Sequence, residues 1–221
     1  MLFDSSNGEL LALVDCDWIT AMRTGAVATL AIRTFRSARA KTYAFVGLGS
    51  TARATLSCLL ATSGHEQLRI RLFRYKDQAE KTIESFASYP DVAFETVDSM
   101  AQLADGADVL VSCITDAAGL LVEDDSLFKP GVLVVPVHTR GFQNCDLCFD
   151  KVFADDTDHV RGFRYFQQFR QFHEFAEVLS GTCRGRESDT ERILSYNIGL
   201  GLHDVYFANR IYRLLYPQCN L

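Results

Sequence analysis

The chain has 221 residues, enough for one good hydrophobic core or for one complete domain and part of a second. Hydrophobic residues make up 48% and charged residues 23%, as in an ordinary soluble globular protein. A net charge of −6 argues against a nucleic-acid partner, no apolar stretch is long enough for a membrane span, and the Met1-Leu2-Phe3-Asp4 start has neither the basic nor the apolar region of a signal peptide.

In chain order, Asn7-Gly8 lies between two apolar runs and predicts a β-hairpin over Met1–Val14. Ile19, Met22, Ala26, Val27, Leu30 and Phe35 then recur at helical spacing, predicting a helix from Asp17 to Arg36 capped near Asp17 or Thr20. Strands and helices alternate from there. Thr42–Val46 reads as a strand, followed by Gly47-Leu48-Gly49 and a helix to about Ala61. Leu68–Phe73 is a second strand, Asp77–Ser88 a helix, Val92–Val97 a third strand, and a short helix ends at Asp105-Gly106. Asp108–Cys113, Gly131–Val137 and Val152–Ala154 supply the fourth, fifth and sixth strands. This alternation predicts an α/β fold of the Rossmann type, a doubly wound parallel sheet with both faces covered. After Asp156 the chain reads as aromatic and helical, and Phe163, Tyr165, Phe166, Phe169, Phe172 and Phe175 suit a core better than a cofactor box. Ser188-Asp189-Thr190-Glu191 matches a capping box and predicts a last helix from Ser188 to Leu215, with a break at Gly199 or Gly201.

The seven cysteines, an odd number scattered through the alternating pattern, read as reduced thiols of a cytoplasmic protein. Cys145 and Cys148 form a C-x-x-C, but a lone pair cannot fill a tetrahedral zinc site, so no metal is expected.

The strongest chemical signal is the G-x-G-x-x-A between the first strand and its helix. Gly47 permits the tight turn, Gly49 lets backbone approach a pyrophosphate, and Ala52 lets helix pack on strand. The helix then offers amides at Ser50, Thr51 and Ala52 to the anion. NAD or NADP is the expected cofactor. The second strand ends Phe73-Arg74-Tyr75-Lys76, where a basic Arg74 suits a 2′-phosphate, the alternative being solvated loop charges at Arg74 and Lys76.

Three further stretches carry a family resemblance: Met22-Arg23-Thr24-Gly25-Ala26; Lys129-Pro130-Gly131 with Val152-Phe153-Ala154-Asp155-Asp156; and Gly185-Arg186-Glu187-Ser188 with Asn197-Ile198-Gly199-Leu200-Gly201-Leu202-His203-Asp204. In order and spacing they resemble the ornithine cyclodeaminase/μ-crystallin family, entered roughly a third of the way in. The resemblance implies a Rossmann domain over 37–187, with 1–36 and 188–221 as parts of a substrate and dimerisation domain. It implies a homodimer if the N-terminal part is present or supplied. It implies that Arg23 binds a substrate α-carboxylate, or else pairs with a structural acid. By the same resemblance Thr115 lies against the cofactor, Asn197 and Gly199 border the nicotinamide, and His203 and Asp204 are structural helix residues. The family's Gly-Gly-Asp loop is replaced by 138–146, where His138 and Asp146 are the candidate catalytic groups. The implied activity is NAD(P)-dependent chemistry on a small amino or imino acid, as an ornithine cyclodeaminase, a ketimine reductase or an amino-acid dehydrogenase. The alternative is an inactive cofactor-binding protein of the μ-crystallin type.

Overall fold

A computed structural model of the chain describes residues 1–64, 66–115, 119–138, 142 and 145–217. The N-terminal hairpin pairs β1 (Leu2–Phe3) antiparallel with β2 (Leu10–Ala12). Helix α1 (Asp17–Phe35) follows. Its first turn is capped neither by Asp17 nor by Thr20: the Asp15 carboxylate accepts the Asp17 N–H at 2.9 Å.

Eight strands form one parallel sheet: β3 (Thr42–Val46), β4 (Leu68–Phe73), β5 (Val92–Val97), β6 (Val109–Ser112), β7 (Leu133–Pro136), β8 (Lys151–Ala154), β9 (Phe172–Glu174) and β10 (Ile193–Tyr196). Their order across the sheet is β5-β4-β3-β6-β7-β10-β8-β9. Strands β3, β6, β7, β8 and β10 are buried at every position, which explains their continuous runs of β-branched and apolar residues. The connecting helices are α2 (Ser50–Thr62), α3 (Gln78–Ser85), α4 (Met100–Ala104), α5 (Thr157–Val160) and α6 (Phe175–Leu179), and α7 (Gly201–Leu215) closes the chain. One apolar layer joins α1 and α2 to the sheet through Ile32, Phe35, Tyr43, Leu56 and Leu59. The opposite layer holds Leu103, Leu110, Val134, Phe149 and Tyr196.

Two strands differ from the sequence expectation. The stretch from Ser188 is not helical: Glu191 folds back, its carboxylate accepting the N–H groups of Glu187 at 2.7 Å and Ser188 at 3.2 Å. Ile193–Tyr196 then enters the sheet as β10 between β7 and β8, so the segment 188–221 contributes a strand to the dinucleotide-binding sheet. The region after Asp156 likewise yields a short strand, β9, beside β8. Its aromatics work as packing: Phe166 meets Phe169 and Phe172 edge-to-face, Phe163 meets Tyr196 edge-on at 5.0 Å, and Phe175 is buried.

Arg186 ties the amino end of the sheet to α1, its guanidinium donating to the carbonyls of Phe35, Gly131 and Glu191. The six cysteines among the described residues are free thiols, and Cys219 lies outside them. Burial pushes Cys145 up to about 11 and Cys148 to about 12, and the Cys145 thiol donates to the Val122 carbonyl at 2.9 Å, the environment of a core side chain. Among the described residues no helix is long and apolar enough to cross a membrane.

Candidate active site at the carboxyl edge of the sheet

From β3 the chain winds outward through β4 and β5; from β6 it winds the other way. That reversal opens a crevice beyond the carboxyl ends of β3 and β6, where open α/β sheets bind ligands. Gly47 stands in it at φ +77°, and a Cβ there would lie 2.6 Å from the backbone of Cys113 and Ile114. Both its conformation and the close approach of the β6 loop require glycine. Gly49 is different. Its backbone is extended, and a Cβ would meet nothing within 4 Å. No contact within the chain demands glycine there, whereas a diphosphate lying on the turn would. As N-cap of α2 it also has no side chain to cap the first amides of Ser50, Thr51 and Ala52, so an external anion can take them. Ala52 is buried against the sheet.

A cavity of about 510 Å³ extends from this turn, lined by Gly47, Gly49, Phe73, Tyr75, Gln78 and Thr115 among others, a size that suits a cofactor fragment. Its walls fit an adenosine: aromatic rings, a glycine-bare floor and a helix N-terminus. Thr115, just beyond the carboxyl end of β6, is part of this lining. A second cleft, on the other side of the α2 N-terminus, is lined by Trp18, Ser50, Thr51 and Arg53.

Arg74 is not among the cavity-lining residues. Its guanidinium turns toward β5, donating to Asp98 at 2.9 Å and Thr96 at 2.8 Å, with Glu80 at 3.7 Å. Without nucleotide, Arg74 is thus engaged with two acids at the surface, and its expected contact with a 2′-phosphate would require it to exchange them.

Along the same edge, His138 follows β7 and its Nε2 lies 2.6 Å from the Oγ of Ser112, the last residue of β6. Burial pushes its pKa down to about 4, so the ring is neutral at pH 7. Asp146 sits apart. It is almost fully buried, lines neither the cavity nor the cleft, and its Oδ1 accepts the Tyr196 hydroxyl at 2.7 Å. Burial pushes it up to about 7.

The residues that the family resemblance assigns to the substrate and nicotinamide gather where α1 meets the β10–α7 junction. Arg23 Nε donates to Asp204 at 3.0 Å, which is the acid pairing open as an alternative in the sequence. Its Nη1, however, is buried with no hydrogen-bond partner, a state that costs about 1–3 kcal/mol unless something else supplies an acceptor. Nη1 packs on Gly199, whose φ of +100° and missing Cβ leave the room it occupies. The Gly199 amide donates to Asp155, which also takes His159 Nδ1 at 3.2 Å. Asn197 is buried, its Oδ1 accepting from Ser195 and its Nδ2 unpartnered. Asp155 thus holds the Gly199 amide and Asp204 holds Arg23 Nε; the only sequence signal for Asp204 was its place in the closing motif, where it read as a helix residue. Trp18, Tyr75 and Gln78 carried no signal at all.

The profile of the ornithine cyclodeaminase/mu-crystallin family matches residues 1–216. The Delta(1)-pyrroline-2-carboxylate reductase of Bacillus cereus is 24% identical over 236 residues, covering 99% of this chain and 71% of that protein. Mouse ketimine reductase mu-crystallin is 30% identical over 112 residues, which is 51% of this chain and 34% of its own length. Among solved structures, Thermococcus litoralis Delta(1)-pyrroline-2-carboxylate reductase in complex with NADH and L-proline has a TM-score of 0.84 at 22% identity, covering 97% of this chain and 71% of that one.

Proposed function

The chain belongs to the ornithine cyclodeaminase/mu-crystallin family, and from that premise we propose that it binds a nicotinamide dinucleotide and reduces the C=N bond of an α-imino acid. The observation that carries this reading is the pair of buried donors without partners, Arg23 Nη1 against Gly199 and Asn197 Nδ2 just past β10, the sheet edge that also carries the bare Gly49 turn. One is suited to a carboxylate and the other to a neutral carbonyl such as the nicotinamide carboxamide.

When bound, the reduced nicotinamide supplies a hydride to the imine carbon. The α2 amides hold the diphosphate, and Arg23 fixes the substrate by its carboxylate against the flat Gly199 seat. Asp204 keeps the guanidinium turned by occupying Nε. His138, neutral and held to Ser112, orders the edge without serving as an ionised acid. The proton on nitrogen enters with the substrate in its iminium form, so reduction at carbon leaves the neutral amine, which takes up a further proton from solvent. A cyclodeaminase needs a carboxylate to manage protons at the departing amine, and Asp146, locked to Tyr196, does not serve it. This favours the reductase within the family.

A homodimer fits the same reading. Helix α7 has no buried residue and exposes Leu202, Val205, Tyr206, Leu214 and Leu215, an apolar face of the kind subunits cover.

The test is NADH oxidation with Delta(1)-pyrroline-2-carboxylate, with L-ornithine as the parallel substrate. Turnover of the imine without ammonia from ornithine is expected. Ammonia and proline from ornithine would point to the cyclodeaminase, and NADH binding without turnover of any cyclic or linear imino acid would point to the non-catalytic binder.

A further inference from the structure

Five buried side-chain polar atoms among the described residues have no hydrogen-bond partner, and three of them, Arg23 Nη1, Asn197 Nδ2 and His203 Nδ1, belong to the α1 and β10–α7 junction. The substrate reading above uses Arg23 and Asn197 and leaves His203 unexplained. His203 lies in the first turn of α7, next in sequence to the Asp204 that holds Arg23, and its ring sits within electrostatic reach of Arg23, Asp155 and Asp204. None of these relieves its Nδ1. Asp204 is occupied by Arg23 Nε, and Asp155 by the Gly199 amide and His159.

We propose that His203 is a substrate-binding residue, donating Nδ1–H to the carboxylate that Arg23 Nη1 also binds, so that the two donors divide its two oxygens between them. This rests on the imino-acid reading of the site and names the second member of its carboxylate clamp. Two buried nitrogens without partners, within electrostatic reach of each other, can be satisfied together by one two-oxygen anion. Desolvation and the Arg23 charge hold His203 below the usual histidine range, so the ring is neutral and can carry its proton on Nδ1. A neutral donor beside an arginine adds directionality without adding a second buried charge.

Calorimetric titration of the NADH-loaded protein with L-proline tests this, using wild type, His203→Asn and His203→Leu. Asparagine places an amide N–H the same number of bonds from Cβ as Nδ1, whereas leucine fills the volume without a donor. The expected result is that His203→Asn binds L-proline within about threefold of wild type while His203→Leu loses tenfold or more, with NADH affinity the same in all three. Proline binding by His203→Leu equal to wild type would overturn the assignment and leave the imino-acid reading standing. A parallel loss of NADH affinity in both variants would make His203 a structural residue, and overturns it as well. Wild-type protein that takes NADH but neither L-proline nor an open-chain α-amino acid would overturn both readings together.

Discussion

The two walls of the crevice are built on opposite principles. On the sheet side several prominent groups are matched within the chain. Gly47 is wedged against the Cys113–Ile114 backbone, Ser112 pairs with His138, and Arg74 is matched by Asp98 and Thr96. On the α1–α7 side, α7 buries none of its residues, its apolar face is open, and Arg23 and His203 keep buried donors unspent. Apart from the open Gly49 turn, stability should therefore concentrate in the first wall and recognition of the substrate in the second, because an interaction already complete has nothing left to offer a ligand.

The comparison can be broken or sharpened by substitution, beginning where the effect is largest. Gly47→Val forces a β-branched residue to φ +77° with its Cβ 2.6 Å from backbone, and should cost more than about 4 kcal/mol, seen as loss of cooperative thermal unfolding. If the variant melts normally, the sheet wall is softer than described. Behind that wall, apart from the crevice, Asp146 is a buried carboxyl whose folded pKa of about 7 lies above its ordinary 3.8. Its contribution is complete below pH 3.8 and is lost as pH rises through about 7, because the unfolded chain releases the proton first. Asp146→Asn keeps an acceptor for Tyr196 and cannot ionise, so it should gain on wild type as pH rises, reaching up to about 4 kcal/mol near neutrality in denaturant titrations. A constant difference across pH would show that Asp146 is not a buried acid.

On the recognition wall the effects move from stability to affinity. Arg23→Leu should raise the KM for the imino acid by ten- to a hundredfold, the value of a charge-assisted hydrogen bond, with NADH affinity and melting temperature little changed. Equal losses in both affinities would place Arg23 in the cofactor site. The smallest expected change is for Tyr206→Ser on α7, within about 0.5 kcal/mol for the single chain, with self-association measured by sedimentation weakened if a second copy covers that face.

Much of the sheet wall was legible in the residues, because β3, β6, β7 and β8 announce themselves as short apolar runs punctuated by glycine and aspartate. Strand β10 was not. Ile-Leu-Ser-Tyr is too brief to carry a period, and the Ser188–Glu191 signature that suggests a helix start is satisfied in space by a turn whose Glu191 also takes Lys151 at 3.2 Å. Only parallel pairing with β7 and β8, remote in sequence, decides it. The same holds for Arg74: a basic residue at a strand end advertises a phosphate site, and nothing local reveals that Asp98 stands 2.9 Å away. The motif gives Gly47 the turn and Gly49 the pyrophosphate, and the space around each shows that contacts within the chain demand glycine at Gly47 and not at Gly49.

That difference gives the most direct test of the account. Trp18 is the single tryptophan of the chain and lines the cleft beside Ser50 and Thr51, so its emission should be quenched by energy transfer when NADH settles on the α2 N-terminus. Titration of wild type against Gly49→Val should show saturable quenching in the first, at least tenfold weaker quenching in the second, and matching melting temperatures without nucleotide. Saturable quenching of equal affinity in Gly49→Val would contradict the placement of the diphosphate on this turn.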